Sequence, residues 1–107
     1  MSWQIVMLPE TEADLSGLDA SVRSQVVRGI IKVSQNPEYP NGLGKPLKNQ
    51  PGSALAGLYK IKFNRAGIRV VYSLRREGSQ MMIIIISARA ENVVYVEAGK
   101  RRKRHDI

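Results

Sequence analysis

Two short runs near the middle of the chain alternate between apolar and charged residues with a period of two. They flank the segment 64–67, Asn-Arg-Ala-Gly, whose asparagine and glycine tolerate a positive φ. The pattern predicts a β-hairpin in which one face of both strands is buried. The residues predicted on that face are Tyr59, Ile61, Phe63, Ile68, Val70 and Tyr72.

The register that sets apolar residues opposite each other pairs Phe63 with Ile68. The same register places Lys62 directly opposite Arg69 on the other face, with Lys60 two residues away. A like-charge pair of this kind costs up to about 1 kcal/mol, and the fold gains nothing from it. The three cations therefore indicate either a solvated face or a site that binds a phosphate.

The pattern before the hairpin predicts a strand and two helices. An apolar run from Trp3 to Leu8 fits a strand, and Pro9 with the acidic residues after it fits a short helix to about Ser16. Apolar residues spaced three and four apart predict a second helix that ends before Pro37. The core stripe predicted for that helix is Val22, Val26, Ile30 and Val33.

The remaining segments complete the predicted architecture. Prolines and glycines from 37 to 53 predict a long loop, and the apolar run from Met81 to Ile86 predicts a central strand antiparallel to the strand before it. We expect an α+β fold with an N-terminal strand and two helices packed on an antiparallel sheet, in one domain over residues 1–99. The like charges of residues 100–107 predict a disordered basic tail.

Composition narrows the class of protein without identifying it. With 107 residues, 43% of them hydrophobic and 24% charged, the chain fits a single soluble domain. The absence of cysteine excludes disulfides and thiolate chemistry. The N-terminus lacks the pattern of a signal peptide, and the longest apolar run is too short to span a bilayer. We therefore expect a cytoplasmic protein that does not enter a membrane.

Charge is distributed unevenly along the chain. Residues 1–44 hold three basic and five acidic side chains, whereas residues 45–107 hold fourteen basic and four acidic ones. A basic half with a pI near 10.2 is typical of nucleic-acid binding, although charge alone does not separate RNA from DNA or from an acidic protein. The residues expected to contact an RNA backbone are Lys45, Lys48, Arg65, Arg101 and Arg102.

Few kinds of catalysis remain open to these residues. The only histidine, His105, lies in the predicted tail, and the carboxylates of the basic half show no metal-ligand spacing, so we expect neither a catalytic triad nor a metal cofactor. Cations near a lysine disfavour its charged form, so one amine of a cationic cluster could accept the proton of a ribose 2′-OH. The other cations would stabilise the charge of the transition state during RNA cleavage.

The hairpin segment 59–72 also resembles a known family. It is similar to the YKIK-x4-G-x-R-h-V-Y pattern, where h is apolar, of the RelE toxins in the RelE/ParE superfamily. The resemblance covers most of the chain. It implies the RelE fold and the activity of a metal-independent, ribosome-dependent messenger-RNA endoribonuclease from a type II toxin–antitoxin pair.

The resemblance assigns roles to particular residues. A lysine is implied as general base, the later arginine as general acid, the other cations as phosphate binders and the tyrosine as a stacking or positioning group. Ala88 and Glu91 stand where a RelE toxin can have further basic residues. The residues that match the functional positions of the family are Lys60, Lys62, Arg69, Arg89 and Tyr95.

The resemblance also implies the partners, which are a cognate acidic antitoxin, the ribosome and messenger RNA. Two alternatives stay open. A ParE-like relative would share the fold but inhibit DNA gyrase without cleaving RNA. A non-catalytic RNA- or ribosome-binding regulator would keep the cationic face but would not need Arg89 and Tyr95. Retention of all five residue types favours the RelE interpretation.

Overall fold

The computed structural model describes residues 2–47 and 55–107, which contain three helices and one five-stranded sheet. Part of the long loop predicted from 37 to 53 lies outside these ranges. Within the described part of that loop, a two-residue strand corrects the expectation of a structureless segment. The elements in chain order are β1 (Gln4–Met7), α1 (Pro9–Ser16), α2 (Ala20–Ser34), β2 (Lys45–Pro46), β3 (Leu58–Phe63), β4 (Ile68–Arg75), β5 (Gln80–Ser87) and α3 (Glu91–His105).

The strands lie side by side in the order β1-β5-β4-β3-β2. The α+β class is confirmed, but the expectation of a purely antiparallel sheet is wrong, because β1 pairs with β5 in parallel. Only strands joined by a short turn are forced to run antiparallel. Strand β1 is separated from β5 by two helices and three strands, so its direction is free of that constraint.

The register of the β3–β4 hairpin is the one that the sequence predicted. Phe63 pairs with Ile68, and Lys62 pairs with Arg69. Gly67 closes the turn with a φ of 67°, a conformation that side chains with a Cβ rarely adopt. The alternation along both strands therefore separates an apolar face from a cationic one.

The apolar face of the hairpin forms a core with α2. Val26, Ile30 and Val33 are buried there, as the helical stripe predicted. Tyr59 and Tyr72 pair across β3 and β4 with their rings stacked at a centroid distance of 5.4 Å. Helix α2 therefore covers one side of the sheet and leaves the cationic side of the hairpin on the other.

Gly29 of α2 lies directly over β3. A Cβ added at Gly29 would lie 2.3 Å from Cε1 of Phe63, far inside van der Waals contact. The close neighbour of Gly29 is therefore the hairpin. A glycine inside a helix costs about 1 kcal/mol relative to alanine, and here it permits the closest approach of α2 to the sheet.

A second core lies on the opposite face, where α3 packs on the central strands. Val94 and Ala98 of α3 are fully buried against Val71 of β4 and Ile84 of β5. Strand β5 therefore contributes to both cores, which confirms that the run from 81 to 86 is a central strand buried on two sides. The first residue of α3, Glu91, lies beside the cationic residues Lys60 and Lys62 of the hairpin.

The expectation of a disordered basic tail is wrong, since α3 continues through His105. Three of its basic residues, Arg101, Arg104 and His105, contact carboxylates of α1, which lie far away in the sequence. Arg104 and His105 both contact Glu10, at 2.8 and 2.9 Å. These long-range contacts offset part of the repulsion that opposes a helix with so many like charges.

Candidate active site

The face of the hairpin opposite α2 carries a row of cations. Lys60 and Lys62 point from β3 to this face, and Arg69 lies opposite Lys62 on β4. The two-residue strand β2 adds Lys45, which pairs with Lys60 and therefore shares its face. The row is thus one residue longer than the sequence predicted, because the pairing of β2 could not be foreseen within a loop rich in proline and glycine.

Arg69 connects this row to the segment that follows β5. Its Nη1 donates a hydrogen bond to the backbone carbonyl of Arg89 at 3.3 Å. Its Nε is buried, and among the described residues it has no hydrogen-bond partner. A buried donor without a partner lowers the stability of the fold. The guanidinium of Arg69 is therefore positioned by packing as well as by its hydrogen bond to the Arg89 carbonyl.

Glu91, the first residue of α3, lies in the middle of the cations. Its Oε1 is 3.6 Å from Nζ of Lys62 and 3.8 Å from Nζ of Lys60. The hydroxyl of Tyr95 donates a hydrogen bond to the same oxygen at 2.7 Å. One carboxylate therefore joins two strand lysines and the helix tyrosine in a single cluster.

The charges around Glu91 affect its protonation and that of Tyr95. The hydrogen bond from Tyr95, followed by the charges of Lys62, Lys60 and Arg69, lowers the pKa of Glu91. Burial, and then the hydrogen bond to Glu91, raises the pKa of Tyr95 well above its usual value. Glu91 is therefore a carboxylate at neutral pH, and Tyr95 is a neutral hydroxyl that donates.

Sequence reasoning did not assign Glu91 to the site. It identified the residue only as a departure from the family pattern, and an acidic residue in the first turn of a helix is common for electrostatic reasons. The spacing of four residues between Glu91 and Tyr95 was the available signal, because such residues are neighbours on a helix. Its contact with the lysines depends on how α3 docks on the sheet.

Arg89 lies in the connection between β5 and α3, with an exposed side chain. Its backbone N–H donates to Oγ of Ser87 at 3.1 Å. Three of the five residues predicted as catalytic, Lys60, Lys62 and Tyr95, thus contact Glu91 directly. Arg69 lies opposite Lys62 and binds the backbone carbonyl of Arg89. The side chain of Arg89 borders a cavity of about 270 Å³ that is lined by Asp14, Ile85, Ser87, Arg89, Val93, Val94, Glu97 and Arg101.

The residues predicted to contact RNA are more dispersed. Lys45 continues the cationic row, and Arg65 is exposed at the hairpin turn. Arg102 lies on α3 and donates to the carbonyl of Ala56. Lys48 lies outside the described residues. The first two residues thus extend the cationic face, whereas Arg102 lies further along α3, eleven residues after its first residue Glu91.

Arg101 occupies a position unlike that of an RNA-binding residue. Its Nη1 and Nη2 donate to the two carboxylate oxygens of Asp14 at 2.6 and 3.2 Å, and Nη1 also donates to the carbonyl of Ile84. Glu97 contacts its Nε at 3.3 Å. Only 12% of the Arg101 side chain is exposed, so we omit this residue from the RNA-binding set proposed below.

Two further features of the described residues concern metal ligands and helix length. Residues 2–47 and 55–107 contain no group of three or more His, Cys, Asp or Glu side chains placed to hold a metal ion. Within the same ranges, no helix combines the length and apolar character needed to cross a bilayer.

Comparison with known proteins places this geometry in context. No family model matches the sequence. The chain is 30% identical to the mRNA interferase toxin RelE of Escherichia coli K12 over 84 residues, which cover 78% of this chain and 80% of that protein. A RelE protein of Shigella flexneri, also named an mRNA interferase, matches with the same identity and coverage.

Solved structures show the same fold. A free-state structure of a mutant E. coli RelE toxin superposes with a TM-score of 0.75 at 25% identity, covering 94% of this chain and 98% of that one. The toxin of the intact E. coli RelBE toxin–antitoxin complex superposes with a TM-score of 0.69 at 20% identity, covering 84% of this chain and 100% of that one.

Proposed function

This chain belongs to the RelE toxin family, and from that premise we propose that it is the toxin of a type II toxin–antitoxin pair. Its activity is that of a ribosome-dependent messenger-RNA endoribonuclease that requires no metal and inhibits translation. The observation that carries the proposal is the cluster around Glu91, in which two strand lysines and a helix tyrosine converge beside Arg69. RNA supplies its own nucleophile, the ribose 2′-OH, so the protein needs only to bind, orient and exchange protons.

The strand cations supply the electrostatic part of catalysis. Lys60, Lys62 and Arg69 share one face of the hairpin and can surround the scissile phosphate. Attack by the 2′-oxygen places additional negative charge on the phosphoryl oxygens in the transition state. Preorganised donors of this kind are typically the largest single contribution to the rate. The like-charge pair that costs stability in the hairpin is thus explained by the substrate.

Arg89 and Tyr95 act from the other side of the cluster. The exposed guanidinium of Arg89 follows the central strand and is free to approach the phosphate or the leaving 5′-oxygen. Tyr95 stays protonated because its pKa is raised by burial, so its hydroxyl remains a donor and its ring can stack on a nucleobase. A nuclease needs Arg89 and Tyr95 for these roles, whereas a protein that only binds RNA does not.

The path of the RNA follows the extended cationic row. Lys45 continues the row past Lys60, and Arg65 lies at the hairpin turn beyond Lys62. Phosphates in a single strand are spaced widely enough to contact successive cations of such a row. Lys48 and Arg102 complete the proposed set of RNA contacts. Each neutralised phosphate adds to the salt dependence of binding.

The partner that controls this toxin is an acidic antitoxin. The basic half of the chain carries fourteen positive and four negative side chains, so an acidic peptide is steered onto it by long-range attraction. The structural relative in the RelBE complex is bound to its antitoxin, which supports such a partner for this chain. The antitoxin would cover the cationic row or displace α3 with Tyr95, and either event would prevent cleavage.

The test is single-turnover cleavage of messenger RNA on programmed ribosomes with purified protein. We expect products with a 2′,3′-cyclic phosphate and a 5′-hydroxyl. Cleavage should persist with EDTA when polyamines and cobalt(III) hexammine keep the ribosomes intact. Arg89→Ala and Lys62→Ala should each slow cleavage by on the order of 10²–10³ while ribosome binding changes little. Loss of all cleavage on chelation, with recovery on adding magnesium, would contradict the proposed mechanism.

Matched control variants are available on α2, on the opposite side of the sheet. Arg28→Ala and Lys32→Ala remove the same charges from exposed helix positions and should leave the cleavage rate unchanged. If the wild-type protein binds ribosomes without cutting RNA, the chain is a binding regulator. If it leaves translation intact and inhibits DNA gyrase, the ParE-like alternative is correct.

A further inference from the structure

Glu91 lies at the centre of the cluster but has no chemical role in the reaction proposed above. Its Oε1 receives the Tyr95 hydroxyl at 2.7 Å and lies within 4 Å of both strand lysines. Its side chain is 44% exposed, so an incoming ribose can reach the carboxylate. The groups that face it from the neighbouring elements are Lys60 and Lys62 of β3, Arg69 of β4 and Tyr95 of α3.

Cleavage of RNA by its own 2′-OH requires a base that is unprotonated at working pH. The resemblance to RelE toxins implies a lysine, but the reference pKa of a lysine side chain, about 10.4, leaves the amine largely protonated at neutral pH. Tyr95 is unsuitable because its pKa is raised by burial and by Glu91. His105 lies at the other end of α3, about 21 Å away at 1.5 Å per residue.

Glu91 meets the requirement that the other groups of the cluster do not. Its pKa is lowered by the Tyr95 hydrogen bond and by the charges of Lys62, Lys60 and Arg69, so it is ionised at neutral pH. Among the described residues, Lys60, Lys62 and Arg69 all face this carboxylate, so cations outnumber it where the phosphate would bind. A carboxylate can therefore work here without cancelling the attraction for RNA.

We infer that Glu91, and not a lysine, is the general base of this toxin, an inference that rests on the proposed nuclease function. Oε1 or Oε2 accepts the proton of the 2′-OH while the 2′-oxygen forms a bond to phosphorus. The bond from phosphorus to the 5′-oxygen breaks while Arg89 stabilises the charge on that leaving oxygen, which takes a proton from water. The hydroxide so formed removes the proton from Glu91, so the cycle closes without another reactant.

A different role for the same geometry predicts the opposite result. A carboxylate among three cations could instead occupy the phosphate position and compete with RNA. Removing its charge would then tighten binding and accelerate cleavage. If Glu91 is the base, removal of its charge leaves RNA binding equal or tighter while cleavage slows. The two roles are therefore separated by the direction in which the cleavage rate changes.

The experiment compares single-turnover cleavage on ribosomes by wild type, Glu91→Gln and Glu91→Asp. Loss of a general base typically costs 10²–10⁴ in rate, so we expect Glu91→Gln to slow cleavage by about that factor. Glu91→Asp should recover part of the rate because it restores the carboxylate. The matched control is Glu77→Gln, which makes the same change in the β4–β5 turn at the far end of the sheet. Circular dichroism checks that each variant is folded.

The pH dependence provides a readout that a merely structural role would not change. With Glu91 as base, the wild-type rate should be nearly constant between about pH 6 and pH 9, since the carboxylate is already ionised. With a lysine as base, the rate should rise about tenfold per pH unit over much of that range. A rising profile, or a Glu91→Gln variant that cleaves at least as fast as wild type, would overturn the inference alone. Absence of cleavage by wild type would instead overturn the proposed function and this inference with it.

Discussion

The ion pair between Asp14 and Arg101 should be a principal anchor of α3. Both carboxylate oxygens of Asp14 accept from the guanidinium, and Oδ2 also accepts the backbone N–H of Ile86 at 3.1 Å. The side chains are only 18% and 12% exposed. Asp14 neutralises the guanidinium and raises the pKa of Arg101, although burial opposes that effect. The change to test is Asp14→Ala, which leaves a mostly buried guanidinium without this partner and the backbone N–H of Ile86 without this acceptor.

Breaking a buried ion pair by removing one partner typically costs about 3–5 kcal/mol. A chain of this size has a total stability of about 5–15 kcal/mol, so the loss is a large fraction of the whole. At about 4 °C per kcal/mol, we expect the melting temperature of Asp14→Ala to fall by roughly 12–20 °C. Urea denaturation followed by circular dichroism, with a double-mutant cycle that includes Arg101→Ala, measures both the loss and the coupling.

Arg104 provides the control for this experiment. It pairs with Glu10 at 2.8 Å, but 56% of its side chain is exposed. Exposed pairs contribute about 0.2–1 kcal/mol, so Arg104→Ala should change stability far less than Asp14→Ala. A coupling energy between Asp14 and Arg101 below about 0.5 kcal/mol would refute the reasoning, because distant independent sites add to within that limit. Arg101 would then be available to bind RNA, as the sequence first suggested.

Three further predictions concern packing, a buried hydrogen bond and pH. Gly29→Ala should destabilise the protein by about 1–3 kcal/mol because its methyl group would meet Phe63. Gly99→Ala on α3, where no atom lies within 4 Å of the added Cβ, should instead stabilise the protein by up to about 1 kcal/mol. Thermal melts of both variants check this, and equal effects would contradict it. Tyr72→Phe should cost about 0.5–1.5 kcal/mol by removing the buried hydrogen bond to the carbonyl of Pro37, measured by urea denaturation. The hydrogen bond from His105 lowers the pKa of Glu10 to about 2, so this contribution to stability is complete above pH 4.5 and is lost as the pH falls toward 2; Glu10→Gln should remove that part of the acid dependence, seen in urea midpoints at successive pH values.

The hairpin could be predicted from sequence because its information is local. A two-residue period, a turn with Gly67 and the pairing of apolar residues determine the register, and with it the faces of Lys62 and Arg69. The stripe of α2 and the two-sided burial of β5 were readable for the same reason. In each case the pattern that folds the element is carried by neighbouring residues.

The errors have a common physical origin in contacts between distant parts of the chain. The basic run after residue 99 gave no indication that Asp14 and Glu10 would neutralise it, since 87 to 95 positions separate the partners. The parallel pairing of β1 likewise depends on where the helices return the chain. Glu91 was missed as a member of the site because its contact with β3 exists only after α3 has docked on the sheet.

The contrast between the two ends of α3 follows from this distribution of charge. At its C-terminal end, carboxylates of α1 pair with Arg101 and Arg104 and contact His105, and these contacts hold the helix on the fold. At its N-terminal end, Glu91 faces Lys60, Lys62 and Arg69, so the described cations outnumber the carboxylate where RNA is proposed to bind. The acidic first half of the chain therefore anchors the helix without weakening the cationic row. An acidic antitoxin that competes with Glu10 or Asp14 for the arginines of α3 would break these contacts and displace the helix, whereas one that covers the row would leave them intact. Protection of the α1 and α3 amides from hydrogen exchange in the complex therefore separates the two modes of inhibition.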